Sequence, residues 1–103
     1  MDLKEASHII NLYMDMYGLF IPSPANRVWT WEFSGTKRAA GSCYYTLRLL
    51  RFSRYFFYDN SEELCVDVIL HEIAHALVGE RHGHGAVWQR KCKEIGARPH
   101  RCT

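Results

Sequence analysis

Ser61-Glu-Glu-Leu-Cys-Val-Asp-Val-Ile-Leu-His71-Glu72-Ile-Ala-His75-Ala-Leu-Val-Gly79 is the stretch whose reading decides the fold. Asn60 or Ser61 can cap a helix, Glu62 and Glu63 suit the positive end of its dipole, and Gly79 ends it. Within that helix Val66, Ile69, Leu70, Ile73, Ala76 and Leu77 form a wide apolar stripe. Leu64, Val68 and Val78 surround the other, histidine-bearing face. A helix apolar on both sides has to be packed on both sides, and buried imidazoles need partners.

His71 and His75 stand four positions apart, which places them about 40° apart around the axis and about 6 Å along it. Both rings therefore reach toward one point. Glu72 neighbours His71 and can touch a water at that point without being a ligand. Two nitrogen donors, an open position and a proton-accepting carboxylate are the parts that metal-assisted hydrolysis requires. A third ligand is expected further on. Six residues after His75 stands Arg81, which cannot serve, and Glu94 lies late. His82 and His84 are nearer, and the glycines beside His84 let the loop approach a metal closely.

His71-Glu-Ile-Ala-His75 followed by His84-Gly85-Ala-Val-Trp88 resembles the SprT-like (Spartan-related) zinc metalloprotease family, whose members carry HExxH and then His-Gly-x-x-aromatic opening the next helix. Ala40-Gly41 and the β-rich segment ending near Ser53 are similar to that family's strand region. The resemblance spans roughly residues 5–97. It implies a zincin-like fold, Zn2+ on His71, His75 and His84, Glu72 as general base, and a protein or peptide substrate near DNA. His82 is the competing third ligand. Tyr44, Tyr45 and His82 are the candidates for a second oxyanion donor, and Asp67, one turn before His71, either orients that ring or faces solvent.

Outward from the central helix, Leu3, Ala6, Ile10, Tyr13 and Tyr17 recur at helical spacing, with Gly18 beyond them and Pro22 and Pro24 blocking continuation. Residues 27–33 alternate and are rich in β-formers, and further strands are expected over about 38–45 and 47–52. The Ser34-Gly35-Thr36 turn suggests antiparallel pairing of the first two. A last helix should run from Ala86 to Ile95, closed by Gly96. The expected class is α+β over a single domain, residues 1–103: an N-terminal helix, a small three-stranded antiparallel-type sheet, the HExxH helix and a C-terminal helix.

Composition narrows the function classes. A chain of 103 residues with 48% hydrophobic and 14% aromatic positions can bury a core but not a second enzymatic domain. No apolar run spans a bilayer, and Asp2, Lys4 and Glu5 spoil a signal peptide, so a soluble cytoplasmic protein without a membrane partner is expected. Cys43, Cys65, Cys92 and Cys102 form no CxxC pair. The first two read as packed thiols, and a second zinc site from Cys92, His100 and Cys102 lacks a fourth ligand. Basic residues fall in two blocks, Lys37, Arg38, Arg48, Arg51, Arg54 and then Arg90, Lys91, Lys93, Arg98, Arg101, which would favour DNA if the fold joined them and otherwise form solvated faces. Trp29 and Trp31 read as sheet residues, Trp88 as the contact between the last two helices, and His8 and His100 as surface. Three classes remain: a zinc endopeptidase, a metal-dependent amidase of cell-wall peptides, and a non-catalytic zinc-stabilised nucleic-acid-binding module. Glu72 argues against the third, because a structural zinc site closes its fourth position. The oligomeric state is not written in these patterns.

Overall fold

A computed structural model of the chain describes residues 1–22, 27–80 and 84–98. Seven elements follow in order: α1 (Leu3–Met16), β1 (Thr30–Ser34), β2 (Gly41–Tyr44), β3 (Leu49–Ser53), α2 (Arg54–Asp59), α3 (Glu62–Val78) and α4 (Ala86–Ile95). The class is α+β, as the sequence implies. No described helix is long and apolar enough to cross a membrane.

Local chemistry accounts for the helix limits. The Asp2 carboxylate accepts from the Lys4 N–H at 2.7 Å and starts α1, whose Ala6, Ile10 and Met14 are fully buried at four-residue spacing. Ser61 Oγ accepts from the Leu64 N–H at 3.3 Å and starts α3. Gly96, with φ at 93°, takes the left-handed turn that ends α4.

The sheet departs from the expected pairing. Its order is β1-β3-β2, with β1 parallel to β3 and β2 antiparallel to β3. The turn at Gly35 therefore does not join neighbouring strands. Leu50, Phe52 and Ser53 make β3 the most buried of the three, so it takes the centre, and β1 and β2, less buried, take the edges. Residues 35–40 carry the chain across from one edge to the other, and residues 45–48, with Arg48 at φ 53°, turn it tightly into β3. A second departure is α2. The run Arg54-Tyr-Phe-Phe-Tyr-Asp59 has the composition of a strand, yet Ser53 leaves the sheet as a cap, its Oγ accepting from the Phe56 N–H at 3.3 Å. Phe57 is then buried against Phe52 and Phe33. Tertiary packing overrides propensity here.

Two apolar clusters grip α3. One gathers Ile10, Met14, Trp29, Leu50, Phe52, Phe57, Cys65, Ile69 and Ile73 between α1, the sheet and α3. The other gathers Leu70, Ala74, Trp88, Cys92 and Ala97 between α3 and α4. Held from both sides, α3 cannot rotate about its axis, which fixes where its polar side chains point. Phe52→Ala should lower stability by about 3–5 kcal/mol through the lost burial and the cavity left behind. Urea denaturation checks this, and a loss under 1 kcal/mol would place Phe52 outside the rigid core.

Candidate active site

The cleft lies where β2, α3 and the start of α4 meet. A cavity of about 270 Å3 is lined by Gly41, Cys43, Tyr45, Glu72, His75 and His84. α3 supplies Glu72 and His75, the turn before α4 supplies His84, and β2 with the residue after it supplies the opposite wall. Glu72 and two of the three expected ligands therefore share one space.

Trp88 holds the imidazoles. Its ring stacks on His75 at 4.9 Å with 16° between planes and meets His84 edge-on at 4.8 Å. The His75 and His84 ring centres are 4.8 Å apart. Trp88 is 1% exposed, and its indole N–H points at the His71 carbonyl, 3.4 Å away. It thus joins α4 to α3, as its sequence position suggests, and also forms the wall behind the rings.

His71 is engaged elsewhere. Its Nε2 lies 2.7 Å from the backbone carbonyl of Arg98 and 3.7 Å from the Asp67 carboxylate. Asp67 is buried, accepts from the Arg98 N–H at 2.9 Å, and stands 3.7 Å from the Arg98 guanidinium. His71 and Asp67 line a neighbouring cavity of about 240 Å3 with Ala40, Phe56, Leu64 and Val68. Asp67 therefore contacts His71 and does not face solvent. Among the described residues no three His, Cys, Asp or Glu side chains stand close enough to hold one metal ion. Two imidazoles are gathered, and the third is tied to the segment after α4.

The electrostatics suit a cation all the same. Burial holds His75 in its neutral form, its pKa pushed down to about 4, with His84 and His71 adding to the effect. Its Nδ1 is buried and has no hydrogen-bond partner among the described residues. A neutral ring offers a lone pair, the form a metal binds, and imidazole donors suit zinc and its neighbours. Burial raises Glu72 to about 7, so this carboxyl exchanges its proton near neutrality. Cys43 and Tyr45 are both raised to about 12, each by burial first; Glu72 adds to the rise at Cys43, and Cys43 and then Glu72 add to it at Tyr45. Thiol and phenol are therefore uncharged near neutrality. The donor chemistry of His75 and His84 fits a metal, while the His71 ring is engaged by the Arg98 carbonyl.

Other expected residues fall as follows. His82, His100 and Cys102 lie outside the described residues. Tyr45 lines the cleft, while Tyr44 faces the other side of the sheet beside Ser42 and Arg51. Cys65 and Cys92 are buried thiols outside any disulfide, and His8 is exposed. The first basic block sits on the sheet, its loops and the start of α2, and the described part of the second sits on and after α4. Arg51 pairs with Glu32, Lys91 with Glu94, and Arg98 with Glu63. Gly41, Cys43 and the Arg98 carbonyl are site groups that sequence reasoning missed. A glycine inside a strand marks close backbone approach, so Gly41 carried a usable signal.

Residues 9–103 match the SprT-like family. No curated protein sequence matches the chain. Among solved structures, the chain is similar to the metallopeptidase zymogen of Methanocaldococcus jannaschii jannalysin, with a TM-score of 0.69 and 21% identity over 86% of this chain and 79% of that one. It is also similar to the metallopeptidase zymogen of Pyrococcus abyssi abylysin, with a TM-score of 0.65 and 13% identity over 87% of this chain and 78% of that one. At such identities the likeness shows a shared fold.

In the metal-free chain the two shifted groups oppose each other. Glu72 favours the folded state below its ordinary value of 4.5 and withdraws that support as pH rises through about 7. His75 favours the folded state above 6.5 and withdraws its support as pH falls through about 4. Between pH 4.5 and 6.5 the parent's urea midpoint should therefore stay nearly flat, whereas Glu72→Gln should gain stability steadily as pH rises. Parallel urea melts check this, and the same slope in both proteins would contradict it.

Proposed function

The chain belongs to the SprT-like family, and from that premise we propose that it is a zinc-dependent metallopeptidase. The observation that carries the proposal is the shared cleft: two imidazoles, that of His75 held neutral by burial and carrying a buried nitrogen with no hydrogen-bond partner among the described residues, beside a carboxyl whose pKa lies near 7. His71, His75 and His84 are the proposed zinc ligands. Zinc, when bound, supplies a Lewis acid that makes water acidic and draws charge from a carbonyl oxygen.

The chain's own groups supply the rest. Glu72 takes the proton from the attacking water and returns it to the departing amine, a task suited to a group that titrates near neutrality. Trp88 keeps the rings of His75 and His84 from turning. The β2 strand offers a seat for an extended peptide. The Ser53 N–H donates to the Ala40 carbonyl at 2.9 Å, and the antiparallel alternation then directs the N–H and C=O groups of Gly41 and Cys43 away from β3. Because β2 is an edge strand, those groups face open space beside Glu72. An extended backbone can pair with them, which favours a peptide substrate over other amides. The two structural neighbours are metallopeptidase zymogens, in keeping with this reading.

A zinc-binding module without catalysis would have no use for a half-buried acid beside its donors. Cleavage of an unfolded protein such as casein, with zinc and with a chelator, tests the proposal. Glu72→Gln should keep its zinc and lose about 10²–10⁴-fold in rate. His84→Ala should lose zinc by elemental analysis while His82→Ala keeps it. Unimpaired cleavage by Glu72→Gln would remove the base, and zinc loss from His82→Ala alone would move the third ligand.

A further inference from the structure

Gly41 stands where β2 passes closest to Glu72. A Cβ built on Gly41 would lie 2.9 Å from the Glu72 Cγ, 3.1 Å from its Oε2 and 3.0 Å from the Val68 Cγ1. Carbon atoms in ordinary contact stand about 3.5–4.0 Å apart, so a methyl group there forces something to move. The nearest atom is the middle of the Glu72 side chain rather than its free end. Val68, one turn back on the same helix, crowds the place from the other side. Nor can α3 withdraw, since both apolar clusters hold it. The φ of Gly41 is not in the left-handed region, so the glycine answers a need for space and not for backbone conformation.

We propose that Gly41 is a positioning residue for Glu72: its missing side chain leaves a notch in β2 that receives the glutamate stem and aims its carboxylate into the cleft. This rests on the reading of Glu72 as general base. Gly41 has a second stake in the geometry, because its outward N–H and C=O belong to the strand edge proposed to hold substrate. A single residue without a side chain thereby sets the base and the peptide backbone at a common distance.

The test compares Gly41→Ala with Ser42→Ala, the next position, whose side chain lies on the opposite face of the sheet. In metal-free protein, NMR should show a contact between the Gly41 α-protons and the Glu72 γ-protons. Gly41→Ala should move the Glu72 signals, and Ser42→Ala should not. In the zinc-loaded enzyme, Gly41→Ala should lower kcat about 10–100-fold, the scale of a small misplacement of a catalytic group, with KM and zinc content little changed. Adding Val68→Ala to Gly41→Ala gives the glutamate room to roll and should recover part of kcat; the pair also serves if the single variant folds poorly. Wild-type kcat in Gly41→Ala would overturn the proposal. So would a loss that merely tracks unfolded or zinc-free protein, or a folded, zinc-bound double variant with no recovery. An inactive parent chain would instead reject the peptidase reading, and the metal-free spectra alone would then decide whether Gly41 positions Glu72.

Discussion

The constraint on which the site depends is the double burial of α3. Ile69 and Ile73 sink into the cluster shared with α1 and the sheet, while Leu70 and Ala74 sink into the cluster shared with α4. Each isoleucine or leucine contributes about 1.5–3 kcal/mol when fully buried, so turning the helix by even one residue would expose several such side chains at once. The helix is therefore locked in rotation. Glu72 and His75 are left to face the gap between β2 and the turn at His84. Trp88 and Gly41 then refine the arrangement, the first by stacking behind the rings and the second by yielding space to the glutamate stem.

His71 shows how finely balanced such a cleft is. Its ring bonds the Arg98 carbonyl, and Asp67 holds the same backbone through the Arg98 N–H. The His71 bond is worth about 0.5–1.5 kcal/mol net. A single contact of that size leaves the His71 ring able to turn toward the proposed metal, while the Asp67 bond to the Arg98 N–H and the buried Ala97 still hold the residues just after α4.

Much of this was legible in the chain. The cap at Ser61, the end at Gly79 and the limits of α4 followed from capping chemistry and apolar period, because these are local properties. The pairing of β1 with β3 was not legible, since it depends on which strand is most deeply covered once the helices pack. The helix α2 was hidden by a run of aromatic residues that suits a strand equally well. In the site, Glu72 and His75 were visible from helical spacing, and His84 from its flanking glycines together with the family resemblance. Gly41 and Cys43 reach the cleft from about 30 positions away in sequence, a distance that β2 bridges by crossing beside α3. The Arg98 acceptor is a backbone group, which no residue type announces.

The proposed chemistry needs three imidazoles and an open position around a single zinc ion. X-ray absorption at the zinc edge of the loaded protein tests this most directly. Three imidazole nitrogens at about 2.0–2.1 Å with one further light atom, and no sulfur, is the expected result. A sulfur scatterer near 2.3 Å, which would bring Cys43 into the shell, or a protein that takes up no zinc, would contradict it.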